Sequence, residues 1–182
     1  GQKTIDFENE FAKKVNAKYA ISCSSGTAAL HLSLLACNLP HNSKVIVPAI
    51  SFLASANIVE LSGGEVVFAD VDSETGVLTA STISRALENT SDKISAIIPV
   101  HLNGSTLDMS MIRSIANQHN LTVIEDACHA LGGNYYENDK VTGVVGSNLY
   151  SDFTCFSFHP VKAIAMGEGG VITTNSESIY TK

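Results

Sequence analysis

The sequence predicts an α/β fold of three layers, α/β/α, built on a mostly parallel sheet of about seven strands. Two observations carry that prediction. Short β-branched runs alternate with amphipathic or Ala/Leu-rich segments at the spacing of β–α units, with no repeat or low-complexity linker between them. Of the 182 residues 45% are hydrophobic and 16% charged, so the strands are expected to be buried on both faces. At this length the chain reads as one domain spanning residues 1–182.

In chain order, an amphipathic stretch predicts a helix over Phe7–Val15, followed by a strand at Tyr19–Cys23. The Ala/Leu-rich segment Gly26–Ala36 predicts the next helix, and the run Val45–Pro48 the next strand. A helix over Ser51–Leu61, a strand at Glu65–Phe68, a helix over Ala80–Glu88 and a strand at Ser95–Pro99 continue the alternation. Ser110–His119 reads as a helix, Thr122–Glu125 as a strand, and Thr154–Phe158 and Val171–Thr174 as two more strands. A last helix opens at Ser176. The chain starts at Gly rather than Met and stops within that opening helix, so both ends read as cut from a longer polypeptide.

The bulk properties exclude some functions. A net charge of −7 with scattered Lys and Arg offers no basic face for a nucleic acid backbone. The four cysteines, Cys23, Cys37, Cys128 and Cys155, form no CxxC pair, so neither a disulfide framework nor a metal site is indicated and a reducing cytoplasm is expected. No apolar run of about eighteen residues is present, so no membrane association is expected.

Ligands of open α/β sheets bind beyond the carboxyl ends of the strands. After the predicted strands come Ser24-Ser25-Gly26-Thr27, Ala49-Ile50-Ser51-Phe52, Asp70-Val71-Asp72, His101-Leu102-Asn103-Gly104, Asp126-Ala127-Cys128-His129 and His159-Pro160-Val161-Lys162. Small, polar and ionisable residues thus gather at one rim of an apolar sheet, and that rim is the expected site. The 24–27 turn opens a helix, whose free N–H groups and positive end suit a phosphate; the same tetrapeptide also reads as an ordinary N-cap with a glycine turn. No GxxxxGK[ST] occurs, which excludes a Walker A loop, and Gly167-Glu168-Gly169-Gly170 precedes a strand instead of opening a helix, which argues against a dinucleotide-binding loop. Glu125 and Asp126 end a strand and must point to opposite faces, so one of them can enter the site. His129 lies close behind. Lys162 follows a buried strand among apolar neighbours, where a partly desolvated amine could form a Schiff base; a solvated loop lysine is the bland alternative.

Together these segments resemble the DegT/DnrJ/EryC1/StrS family of sugar aminotransferases, of the aspartate-aminotransferase-like fold. The resemblance runs along nearly the whole chain, through residues 24–31, 47–52, 68–72, 98–104, 125–132 and 155–170. It implies that the chain is the large domain that binds pyridoxal 5'-phosphate, that Lys162 carries the cofactor as a Schiff base, and that Asp126 pairs with the pyridine nitrogen. By the same resemblance His129 reaches the ring's phenolic oxygen, Ser25, Gly26, Thr27 and Ser157 hold the phosphate, and Phe52 lies against the ring. It further implies a nucleotide-sugar substrate, an amino-acid donor such as glutamate, and a homodimer whose partner subunit completes each site. His159-Pro160-Val161-Lys162 most resembles the subgroup that aminates C4 of a UDP-linked 4-keto-6-deoxy-N-acetyl-hexosamine in pseudaminic acid biosynthesis. Two rivals stay open. Related sugar dehydratases resemble this chain with His in place of the lysine, and a truncated or regulatory module could bind cofactor or sugar without turnover.

Overall fold

A computed structural model describes all 182 residues. The elements run α1 (Gln2–Val15), β1 (Tyr19–Cys23), α2 (Gly26–Ala36), β2 (Lys44–Pro48), α3 (Ala54–Leu61), β3 (Glu65–Ala69), α4 (Ala80–Glu88), β4 (Ile94–Ile97), α5 (Met109–His119), β5 (Thr122–Asp126), β6 (Asn134–Glu137), β7 (Lys140–Val144), β8 (Phe153–Ser157), β9 (Gly170–Thr174) and α6 (Glu177–Tyr180). Seven strands form one sheet in the order β1-β9-β8-β5-β4-β2-β3. Only β9 runs against its neighbours, pairing antiparallel with both β1 and β8. The remaining pairs are parallel.

The expected double burial holds for the inner strands, because successive side chains go to opposite faces, while the edge strands β1 and β3 are only partly buried. Ile46, Ile97, Val123 and Phe156 pack on one side with α1, α4 and α5, among Phe11, Ile83 and Ile112. Val45, Val47, Ala96, Ile98, Ile124 and Cys155 pack on the other with α2 and α3, among Leu30, Leu34 and Ile58. These two cores are the outer seams of the three layers. On the α1 side Phe7, Phe11, Phe156 and Phe158 interlock at centroid separations of 5.2–5.9 Å, largely edge-to-face.

Three features depart from the sequence reading. A two-stranded hairpin, β6–β7, stands apart from the main sheet. Its turn residues Asn138 and Asp139 both have positive φ, 48° and 62°, which matches the right-handed twist of the strands they join. Helix α3 starts at Ala54 rather than Ser51. Residues 51–53 instead form a bend with no side-chain cap, which leaves Phe52 69% exposed at the strand-end rim. Helix α1 starts five residues earlier than its first aromatic residue, at Gln2.

Candidate functional site

The carboxyl ends of the parallel strands frame a cavity of about 450 Å³. Ser25, Gly26, Thr27, Phe52, Asp126, His129, Ser157 and Lys162, the eight residues singled out in the sequence, all line it. His101, Cys128, His159 and Glu168 line it too.

Helix α2 brings its N-terminus to the cavity. Ser25 is the N-cap, its Oγ accepting from the Ala28 N–H at 3.1 Å. The first N–H groups of a helix have no partner within it, so those of Gly26 and Thr27 remain for a ligand. Gly26 sits where β8 ends: a Cβ there would come within 2.7 Å of Ser157 Cβ and 2.8 Å of Cys128 Sγ. Glycine therefore lets the helix end, Ser157 and the 126–129 turn share one small space. Gly170 has a comparable part behind the cradle. It pairs with both Cys23 and Ser157, and a Cβ on it would collide with the Ser25 carbonyl.

The two acids at the end of β5 diverge as their alternation requires. Asp126, 4% exposed, faces the cavity; Ser55 Oγ donates to its Oδ2 at 2.9 Å and the Cys128 N–H to its Oδ1 at 3.1 Å. Its carboxylate is thereby aimed and kept as an acceptor. Replacing Ser55 with alanine removes one of those donors from a buried carboxylate and is expected to cost about 1–3 kcal/mol in urea unfolding. An unchanged midpoint would contradict that assignment.

Glu125 turns to the opposite side, wholly buried. His101 Nε2 donates to its Oε1 at 2.7 Å, the Tyr135 hydroxyl to the same oxygen at 2.6 Å, and Thr154 Oγ1 to Oε2 at 3.1 Å. Burial alone would push this carboxyl up, but the bonds from His101 and Tyr135 prevail and hold it below the usual carboxylate range. A carboxyl depressed in the native state adds stability above its unfolded value, and that stability is lost as pH falls through the native value. Glu125→Gln should therefore be less stable at neutral pH and lose less on acidification below the carboxylate range. Parallel stability–pH curves for the two proteins would contradict this. In the sequence His101 stands only as part of a strand-end segment, with nothing beside it that marks Glu125 as its partner.

His129 lies behind Asp126, half-buried, with Nδ1 accepting the Asn103 N–H at 3.2 Å. Burial lowers its pKa below the ordinary histidine value, with nearby Lys162 acting in the same direction. Lys162 sits in the loop between β8 and β9, half-buried, and its Nζ makes no hydrogen bond or ion pair within the protein. Phe158 ties down both limbs of that loop: it donates to Gly169 O and accepts from the Met166 N–H, each at 2.9 Å. His159 Nε2 and Glu168 Oε1, 3.8 Å apart, approach across its mouth. Asp72, in a strand-end segment, serves as a turn residue: its Oδ1 accepts from the N–H groups of Glu74 and Thr75.

The fold and the cavity define a class, a three-layer α/β domain whose strand-end rim offers an anion cradle, a buried carboxylate and an unpaired amine to one small ligand. The chain belongs to the DegT/DnrJ/EryC1/StrS aminotransferase family, whose profile matches residues 1–182. GDP-perosamine synthase of Caulobacter vibrioides is 40% identical over 182 residues, covering 100% of this chain and 46% of that protein. Among solved structures, the aminotransferase from Psychrobacter cryohalolentis superposes with a TM-score of 0.89 at 38% identity, over 99% of this chain and 43% of that one. Helicobacter pylori PseC, an aminotransferase of pseudoaminic acid biosynthesis, gives 0.84 at 28% identity, covering 100% and 46%. The Escherichia coli GDP-4-keto-6-deoxy-D-mannose-3-dehydratase with bound hydrated PLP gives 0.85 at 28% identity, covering 99% and 45%. The chain thus spans just under half the length of these relatives. No helix is long and apolar enough to cross a membrane.

Proposed function

We propose that the chain is the pyridoxal 5'-phosphate-binding large domain of an aminotransferase that moves an amino group from an amino acid to the keto group of a nucleotide-linked sugar. The observation that carries this reading is the convergence of Lys162, Asp126 and the amino end of α2 on one cavity. The residues fit the cofactor. Gly26 leaves open the space a Cβ would fill between Ser157 and Cys128, the α2 N–H groups and the Thr27 and Ser157 hydroxyls suit a phosphate, and the Asp126 carboxylate suits a protonated ring nitrogen.

Bound pyridoxal phosphate supplies an electron sink for the charge left when a proton leaves the amino-bearing carbon. Lys162 would hold the cofactor covalently through its Nζ, and that amine, when free, would take up and return the proton at the amino-bearing carbon. The same amine serves both halves of the exchange. Asp126, oriented by Ser55 and the Cys128 N–H, would pair with the ring nitrogen and favour its protonated form. His129 and Phe52 line the same cavity, where His129 would meet the phenolic oxygen and Phe52 would lie against the ring.

The finer reading is amination at C4 of a 4-keto-6-deoxy sugar, with glutamate as donor and a homodimer as the working unit. His159-Pro160-Val161-Lys162 supports a UDP-linked N-acetyl-hexosamine, whereas the 40% identity to a GDP-perosamine synthase favours a GDP-linked hexose. Lys162 argues against the dehydratase alternative. Incubating the full gene product with glutamate and a panel of UDP- and GDP-linked 4-keto and 3-keto sugars tests the reading. Amination of one 4-keto sugar nucleotide is expected; turnover confined to free ketones would refute it.

A further inference from the structure

Asn103 holds a left-handed conformation, with φ at 53°, and its backbone N–H meets His129 Nδ1 at 3.2 Å. A backbone N–H can only donate, so Nδ1 must be the acceptor and the proton of the neutral ring lies on Nε2. The loop that places Asn103 is itself braced from inside. His101 is fully buried and uses both ring nitrogens: Nδ1 accepts the Leu107 N–H at 3.1 Å while Nε2 donates to Glu125 at 2.7 Å. One imidazole thus spans residues 101–107 and pins them to β5. The His101 N–H also donates to the Asp126 carbonyl at 3.0 Å. Gly104 packs against the next turn, where a Cβ would approach the His129 carbonyl to 3.1 Å. Glu125 in turn is fixed by Tyr135 and Thr154. The adjacent acids of β5 therefore face different duties, Asp126 toward the cavity and Glu125 toward the support of the neighbouring loop.

We propose that the His101–Glu125 pair is a positioning device: it fixes the 101–107 loop so that the Asn103 N–H holds His129 in the Nε2–H form, giving the cavity a hydrogen-bond donor at that nitrogen. The identity of the group that meets the donor rests on the pyridoxal phosphate reading. The tautomer itself is a property of this chain.

Long-range proton–nitrogen NMR on ¹⁵N-histidine-labelled full gene product, before cofactor is added, reads the tautomer directly. Wild type is expected to show His129 with Nε2 protonated and Nδ1 bare. Asn103→Val puts a β-branched residue at a positive φ it adopts poorly and should displace the N–H, shifting the tautomer ratio toward Nδ1–H by roughly tenfold. Asn103→Gly keeps both the N–H and the backbone conformation and should retain the wild-type pattern. His101→Asn preserves an acceptor for Leu107 but loses the bond to Glu125, and should shift the ratio in the same direction as Asn103→Val. An Nδ1–H signature in wild type overturns the proposal, as does an unchanged pattern in either shifting variant or loss of the pattern in Asn103→Gly. Failure of the protein to take up pyridoxal phosphate would sink the functional reading and leave the tautomer result standing.

Discussion

Gly170→Ala is expected to destabilise the protein by roughly 3–5 kcal/mol, at or above the usual cost of overpacking, because the atom met is backbone and not the end of a flexible side chain. The new Cβ would run into the carbonyl of Ser25, the N-cap residue of α2. Relief requires β9 to move from β1 and β8, or α2 to withdraw from the cavity. Either way the anion cradle opens, so affinity for pyridoxal phosphate should fall together with stability. Gly169→Ala is the matched control: its Cβ would meet only Phe158, at 3.6 Å, and the change should stay within about 0.5 kcal/mol. Equal urea midpoints for the two variants would show that Gly170 is not needed for close packing.

Lys162→Ala has the largest expected effect on activity. Nothing else lining the cavity offers an amine, and the neighbouring cysteine cannot substitute, since burial pushes the Cys128 thiol well above its ordinary value. Turnover should fall by about 10,000-fold or more, the upper end of what one positioned proton carrier contributes, because this residue also anchors the cofactor. Stability should change little, since its Nζ bonds to nothing in the protein. A variant that keeps wild-type turnover would remove Lys162 from the chemistry.

What could be read from the sequence was what local pattern determines. The apolar run Val45-Ile46-Val47 announced a strand buried on both faces, and period-two alternation separated Glu125 from Asp126 before any coordinates. The strand-end segments could be gathered on one rim because parallel topology leaves them nowhere else to go. What escaped depends on contacts between distant residues. His101 and Glu125 lie 24 positions apart, and nothing local to either marks them as partners. The reversed direction of β9 follows from how the 158–169 loop folds back on Phe158, which composition does not encode. The hairpin did carry a signal: two tyrosines, then Asn138-Asp139, then Val141 is the pattern of two short strands around a two-residue turn. The sequence places Phe52 in a helix beginning at Ser51, whereas α3 begins at Ala54 with Leu53 as N-cap, leaving Phe52 outside the helix at the strand-end rim.

The claim that Lys162 marks the cofactor site is tested most directly by loading the full gene product with pyridoxal phosphate, trapping the attached cofactor with borohydride and mapping the labelled peptide. Label is expected on Lys162 alone, and absent from the Lys162→Ala protein. Label on another lysine, or none at saturating cofactor, would contradict the assignment.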